Sequence, residues 1–236
     1  MFFQVDHRMF EQFPGLVIGV VAGHDLQPPA HPEPIEDLLA AAVEGFRREW
    51  AGRPVQEHPR IAPWRRAFQA LGLSGVKYPS SIEGLARRAL SERGLPRILP
   101  LVDLYNAVSL TQVIPMGGHD LGTITGAIRL APTRGGEPFQ AMLSAEMEAV
   151  AGGEIAYLDD RDVLTRHWVW RQGNKDRITP QTRSVFIPID GLPEVGMELV
   201  RAAAEEVARH LRTHFSCTVR VGYATEDSPE VELDGV

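Results

Sequence analysis

Three glycine pairs, Gly117-Gly118, Gly135-Gly136 and Gly152-Gly153, fall inside one stretch, Ile98 to Ile189, whose apolar pattern differs from that of the rest of the chain. Glycine pairs between apolar runs supply the positive φ of tight turns, so Ile98 to Ile189 reads as β segments joined by turns. On either side the period is helical. Ile35, Leu38, Leu39, Ala42, Val43 and Phe46 share one face of a helix over Ile35–Trp50. Pro63 opens a second helix ending near Gly72, and Ser80 with Glu83 makes a capping box for a third that stops at Gly94. Pro193 starts an Ala-rich helix to about Arg212. Phe2–Val5, Leu16–Ala22 and Cys217–Tyr223 read as strands, with Asp6 capping a brief helix, His7–Phe13. Strict β-α-β units are few, which makes the class α+β. A chain of 236 residues, 44% of them hydrophobic, can bury the core of one domain spanning 1–236, with residues 223–236 an acidic and mobile end.

Charge is unevenly placed. Residues 60–97 hold eight Lys or Arg against two Glu, a local balance of +6 that leaves −13 for the rest of a chain at −7. A basic patch on an acidic body suits one polyanionic end or arm better than a long duplex, although a pair of solvated helices has the same composition. No apolar run reaches the roughly 18 residues that span a bilayer, and the start, MFFQVDHRMFEQF, lacks the order of a signal peptide. A cytoplasmic location without a membrane partner is expected. The lone Cys217 lies in a β-branched segment and reads as a core thiol. His210 and His214 are one helical turn apart but have no evident third ligand, and phosphate-binding and dinucleotide motifs are missing, so neither metal nor cofactor is expected.

Two stretches carry polar groups from apolar runs into loops: LVDLYNAVSLTQVIPMGGHD (Leu101 to Asp120) and HWVWRQGNKDRITPQTR (His167 to Arg183). In both, the apolar part reads as β-type. Asp103 and Asn106 interrupt the first, and a structural hydrogen-bonding role is the default for both. The pattern Val102, Asp103, Asn106, Pro115, Met116, Asp120 resembles the editing domain (B3/B4) of the phenylalanyl-tRNA synthetase β subunit. Gly173, Thr182, Val185, Phe186 and Ile187 similarly follow that family's Gly-rich loop and the strand after it. The resemblance covers roughly residues 1–222, as for a free-standing copy of the domain. It implies layered mixed β-sheets backed by helices. It also implies a trans-editing hydrolase that deacylates a mischarged aminoacyl-tRNA by water attack on the ester. The implied partner is the aminoacylated acceptor end of tRNA, with a homo-oligomer or a synthetase as a further partner. The alternative is a non-catalytic module that binds an acceptor end or an amino acid.

The expected catalytic residues are Asn106, His119, Asp120 and Asn174. Gly117, Gly118, Arg171, Gln172 and Lys175 are expected to bind substrate, and Arg65, Arg66, Arg87 and Arg88 to bind RNA. His119 next to Asp120 sets an imidazole beside a carboxylate, a pair that can polarise water. The Gly117-Gly118 turn can bring backbone N–H groups to a carbonyl or phosphate, or serve as a plain hairpin turn. Trp168, Trp170 and Gln172 alternate on one face of an expected strand, where tryptophan is either core or a stacking platform. Two departures from the family stand out. Its histidine directly after Pro-Met is Gly117 here, and its substrate-contacting glutamate is Asn174. The family's later pocket segment has no evident counterpart after Pro188. Hydrolysis is therefore expected to lean on substrate assistance and backbone donors, with the loops at Asn106, Gly117-Gly118 and Asn174 converging on one pocket.

Overall fold

The computed structural model describes residues 1–234. In chain order the elements are β1 (Phe2–Val5), α1 (His7–Gln12), β2 (Val17–His24), α2 (Glu33–Trp50), α3 (Ala62–Ala70), α4 (Ser81–Leu90), α5 (Pro100–Gln112), β3 (His119–Asp120) and β4 (Ile128–Pro132). They continue as β5 (Pro138–Gln140), β6 (Met147–Ala149), β7 (Ile155–Leu158), β8 (Val163–Arg166), β9 (Arg171–Gln172), β10 (Ser184–Gly191), α6 (Gly196–Phe215), β11 (Thr218–Ala224) and β12 (Glu230–Glu232). One sheet has the order β12-β1-β4-β7-β8-β9 and a second the order β11-β2-β10-β3, with β5-β6 a separate hairpin. Only β1 and β4 pair in parallel among these strands. Mixed sheets backed by helices confirm the α+β class.

The second sheet is a platform for α6. Gly19 in β2 and Gly191 in β10 let the helix close in, because a Cβ at either would lie 2.7 Å or 2.2 Å from a methyl of Val200. Val200, Ala203, Ala204, Val207 and Leu211 form its buried stripe on β2 and β10. On the other sheet, Phe3 stacks on Tyr157 with ring centroids 5.9 Å apart, and Trp64 meets Trp168 edge-on at 4.9 Å. Asp6 caps α1 by accepting the Arg8 N–H, and Ser80 caps α4 by accepting that of Glu83. The Glu83 side chain does not close a capping box. It is fully buried and grips Arg65 and Arg87 instead.

Three expectations of local structure are corrected. Pro100–Gln112 is the helix α5, not a β-type run. It packs against α2 on one side and α6 on another, so nearly every residue from Leu101 to Leu110 is buried. A helix covered all round loses the polar face that would mark its period. Residues 167–170, expected as a strand, are a turn between β8 and β9, with His167 and Trp168 in the left-handed region. Residues 223–236 were expected as a mobile tail: 223–234 are built in, with β12 pairing antiparallel to β1 and Leu233 fully buried, and 235–236 lie outside the described residues.

Candidate functional site

A cleft of about 680 Å³ opens where the two sheets meet under the N-terminal half of α5. Its walls are mainly apolar, with Val102, Tyr105, Met116, Val169 and Ile178 among them. Met142 and Leu143 form a lip, and Leu143 is 89% exposed. Asn106, Gly117, His119 and Gln172 border this space, whereas Gly118, Asp120, Asn174 and Lys175, expected at the same pocket, do not line it. Gln172 Nε2 donates to the Gly118 carbonyl at 2.7 Å, tying the two stretches together.

The polar centre is His119. Its ring is 2% exposed, and Nδ1 is hydrogen-bonded to Asp176, which is fully buried. A carboxylate accepts, so Nδ1 carries the proton, and in the neutral ring Nε2 is the acceptor. Nε2 has no partner among the described residues. The carboxylate expected beside this imidazole was Asp120, but neighbours along a strand point to opposite faces. Asp120 turns away, accepting the Thr182 hydroxyl at 2.6 Å and the Gly122 N–H at 2.9 Å.

A second carboxylate lies at the cleft floor. Asp190, on β10, accepts from the Tyr157 hydroxyl and from Trp168 Nε1, both on Oδ1 at 2.7 Å. Burial pushes this carboxyl up to about 6, with the two donors pulling against it, and pushes the Tyr157 hydroxyl well above its usual range.

Other expected site residues have structural partners. Lys175 is held by Asp159 and Asp162 at 2.6 Å each, and Asn174 bonds Gln140 through its backbone and its side chain. Arg171 is exposed and lies over the Trp170 ring at 5.7 Å. Gly118 is packed on Tyr105, and neither Gly117 nor Gly118 has the positive φ expected of a tight turn. Asp103 accepts the Ile98 N–H, as its default role requires. Both tryptophans border the cleft; Trp168 is fully buried in the core, and Trp170 packs on Tyr78 at 4.7 Å.

The basic cluster is divided. Arg65 and Arg87 are bound to Glu83, and Arg66 to Glu194 at 3.0 Å. Arg88 is exposed beside a depression that shares Ser81, Asn106, Met116 and Trp170 with the cleft. Sequence reasoning missed Asp176, Arg177, Tyr157 and Asp190. Arg177 is exposed at the cleft border. A signal was present for one: Asp190 interrupts the apolar run FIPID as Asp103 interrupts its own.

Fold and site together define an α+β domain with a ligand-sized cleft set between two sheets and under a buried helix. A family model described as the B3/4 domain matches residues 64–216, and the chain belongs to that family. The fold is similar to that of an N-terminal fragment of the phenylalanyl-tRNA synthetase β-subunit from Pyrococcus horikoshii, with a TM-score of 0.50 and 14% identity. That match covers 92% of this chain and 50% of the other, so the chain spans about half the length of that fragment. No curated protein sequence matches this one. No helix among the described residues is long and apolar enough to cross a membrane.

Proposed function

We propose that the chain deacylates a mischarged aminoacyl-tRNA in trans, cleaving the ester between the amino acid and the terminal ribose. The observation that carries this reading is the His119–Asp176 pair, buried and facing an apolar cleft. Asp176 fixes the ring so that Nε2 faces the bound ester. Nε2 takes a proton from water as the water oxygen adds to the ester carbonyl carbon. The tetrahedral intermediate then collapses, the bond from carbonyl carbon to ribose oxygen breaks, and the proton passes to that oxygen. Asn106, whose side chain borders the cleft without a partner among the described residues, and the backbone near Gly117 supply donors to the developing oxyanion. The ester is already activated, so these groups suffice without a covalent nucleophile.

The RNA side of this reading rests on Arg88 and Arg177, exposed cations flanking the cleft and its neighbouring depression. In this reading they meet phosphates of a single-stranded acceptor end. The experiment is a deacylation screen across mischarged tRNAs, with buffer and His119→Ala as controls. Turnover of at least one ester, lost in the variant, supports the proposal. Binding without turnover leaves the chain a binding module.

A further inference from the structure

Asp190 has a chemistry that ester hydrolysis does not use. It is 2% exposed, and no Lys or Arg bonds to it among the described residues. Both donors meet Oδ1, so Oδ2 is left without a partner at the border of the cleft. A buried carboxylate costs free energy unless donors or an opposite charge meet it; here Tyr157, Trp168 and the nearby His119 act on the group, and Oδ2 itself accepts no hydrogen bond among the described residues. The arrangement is also built at some conformational expense. Trp168 has φ +63, a region that a bulky L residue rarely occupies, and the turn so formed delivers its indole N–H to Asp190. Tyr157 reaches across from the other sheet to the same oxygen.

We infer that Asp190 Oδ2 anchors the free α-ammonium group of the substrate, so that the cleft takes α-amino acyl esters with an unblocked amine and rejects N-acylated ones. This rests on the aminoacyl-ester reading of the site. The shared lining of the cleft supports it. In an α-amino acyl group the nitrogen lies two bonds from the carbonyl carbon, roughly 2.5 Å. The His119 ring lies 5.8 Å from the ring of Tyr157, whose hydroxyl holds Asp190. His119 and Asp190 line the same cleft, so an ammonium on Oδ2 and an ester carbonyl facing His119 share one space. The apolar walls at Val102, Met116, Val169 and Ile178 suit an uncharged side chain. With its carboxyl up to about 6, Asp190 is ionised at pH 7.5 and can pair with an ammonium.

The test uses probes that cannot be hydrolysed: adenosine carrying L-leucine or L-phenylalanine on a 3′-amide, each with the amine free or N-acetylated. Calorimetric titration of the wild-type protein at pH 7.5 should show at least one free-amine probe binding about tenfold or more tighter than its acetylated form. Asp190→Asn should abolish that preference. Equal binding of the two forms, failure of both free-amine probes to bind, or a preference retained in Asp190→Asn would overturn the inference. Because the amides do not turn over, preference without deacylation refutes the hydrolase and keeps the anchor. Deacylation without preference refutes the anchor alone.

Discussion

His119 Nδ1 and the carboxylate of Asp176 are hydrogen-bonded across 57 residues of sequence, and neither group reaches bulk solvent appreciably. Asp176 Oδ1 has no hydrogen-bond partner, so the imidazole is the one side chain that binds this carboxylate among the described residues. The two should act as a unit. His119→Ala should lower kcat by about 10²- to 10⁴-fold, the usual contribution of a positioned base. Asp176→Asn should lower kcat with KM nearly unchanged, because Asp176 positions the ring and does not touch substrate. In single-turnover kinetics the double variant should be no slower than His119→Ala. Multiplying losses would show two independent roles.

Asp190 should make stability depend on pH in an unusual direction. Burial raises its carboxyl from 3.8 to about 6 in the folded protein, so the folded state holds this proton more tightly than the unfolded chain. Its contribution is present below pH 3.8 and is lost as pH rises through about 6. A shift of about two units corresponds to about 3 kcal/mol. Asn keeps the acceptor for Tyr157 and Trp168 without the charge. Asp190→Asn should therefore exceed wild type by about 1–3 kcal/mol in urea unfolding at pH 8, with the gap closing towards pH 4. A variant less stable than wild type at pH 8 would mean that the carboxylate is compensated by something else.

The two glycines at the cleft should differ. A Cβ on Gly118 would meet Tyr105 Cε1 at 2.6 Å and Ile178 Cγ1 at 3.3 Å, whereas one on Gly117 would meet nothing within 4 Å. Gly118→Ala should cost about 1–3 kcal/mol and narrow the cleft, and Gly117→Ala should change stability by less than about 0.5 kcal/mol. Thermal unfolding of the pair reads this directly.

The arginines of the basic cluster should separate into two groups. Glu83 is fully buried and holds Arg65 and Arg87 at 2.5 Å each, so removing one arginine leaves it paired and removing both leaves it bare. The Arg65→Ala/Arg87→Ala double variant should lose about 3–5 kcal/mol, more than the sum of the singles. Arg88→Glu and Arg177→Glu should leave the melting temperature near wild type and weaken tRNA binding. The slope of log affinity against log salt should shrink by about one for each cation removed. Unchanged affinity in both reversals would show that this face does not meet RNA.

Where the sequence was legible, the periodic signal was local. The helices at Glu33–Trp50, Ala62–Ala70 and Ser81–Leu90 and the strands at Phe2–Val5 and Thr218–Ala224 follow from apolar spacing and caps. Pro100–Gln112 was not legible, because burial between α2 and α6 removed the polar face that distinguishes a helix from a buried strand. His119 was legible as a candidate and lies at the cleft, but its carboxylate partner was not legible. Strand geometry sends Asp120 to the opposite side, and Asp176 arrives through tertiary pairing that no short window contains. The turn at His167-Trp168 was hidden for a related reason. Left-handed backbone at non-glycine residues is imposed by the surroundings, and without it nothing connects Trp168 to Asp190.

The proposed hydrolysis depends on the His119–Asp176 pair directing water at an aminoacyl ester. Single-turnover deacylation across a panel of mischarged tRNAs, wild type beside His119→Ala, tests it most directly. The account predicts at least one ester cleaved about a hundredfold or more faster than in buffer, with His119→Ala returning most of that rate to the buffer value while tRNA affinity is unchanged. Turnover that survives His119→Ala within a few-fold, or no ester cleaved faster than in buffer, would contradict it.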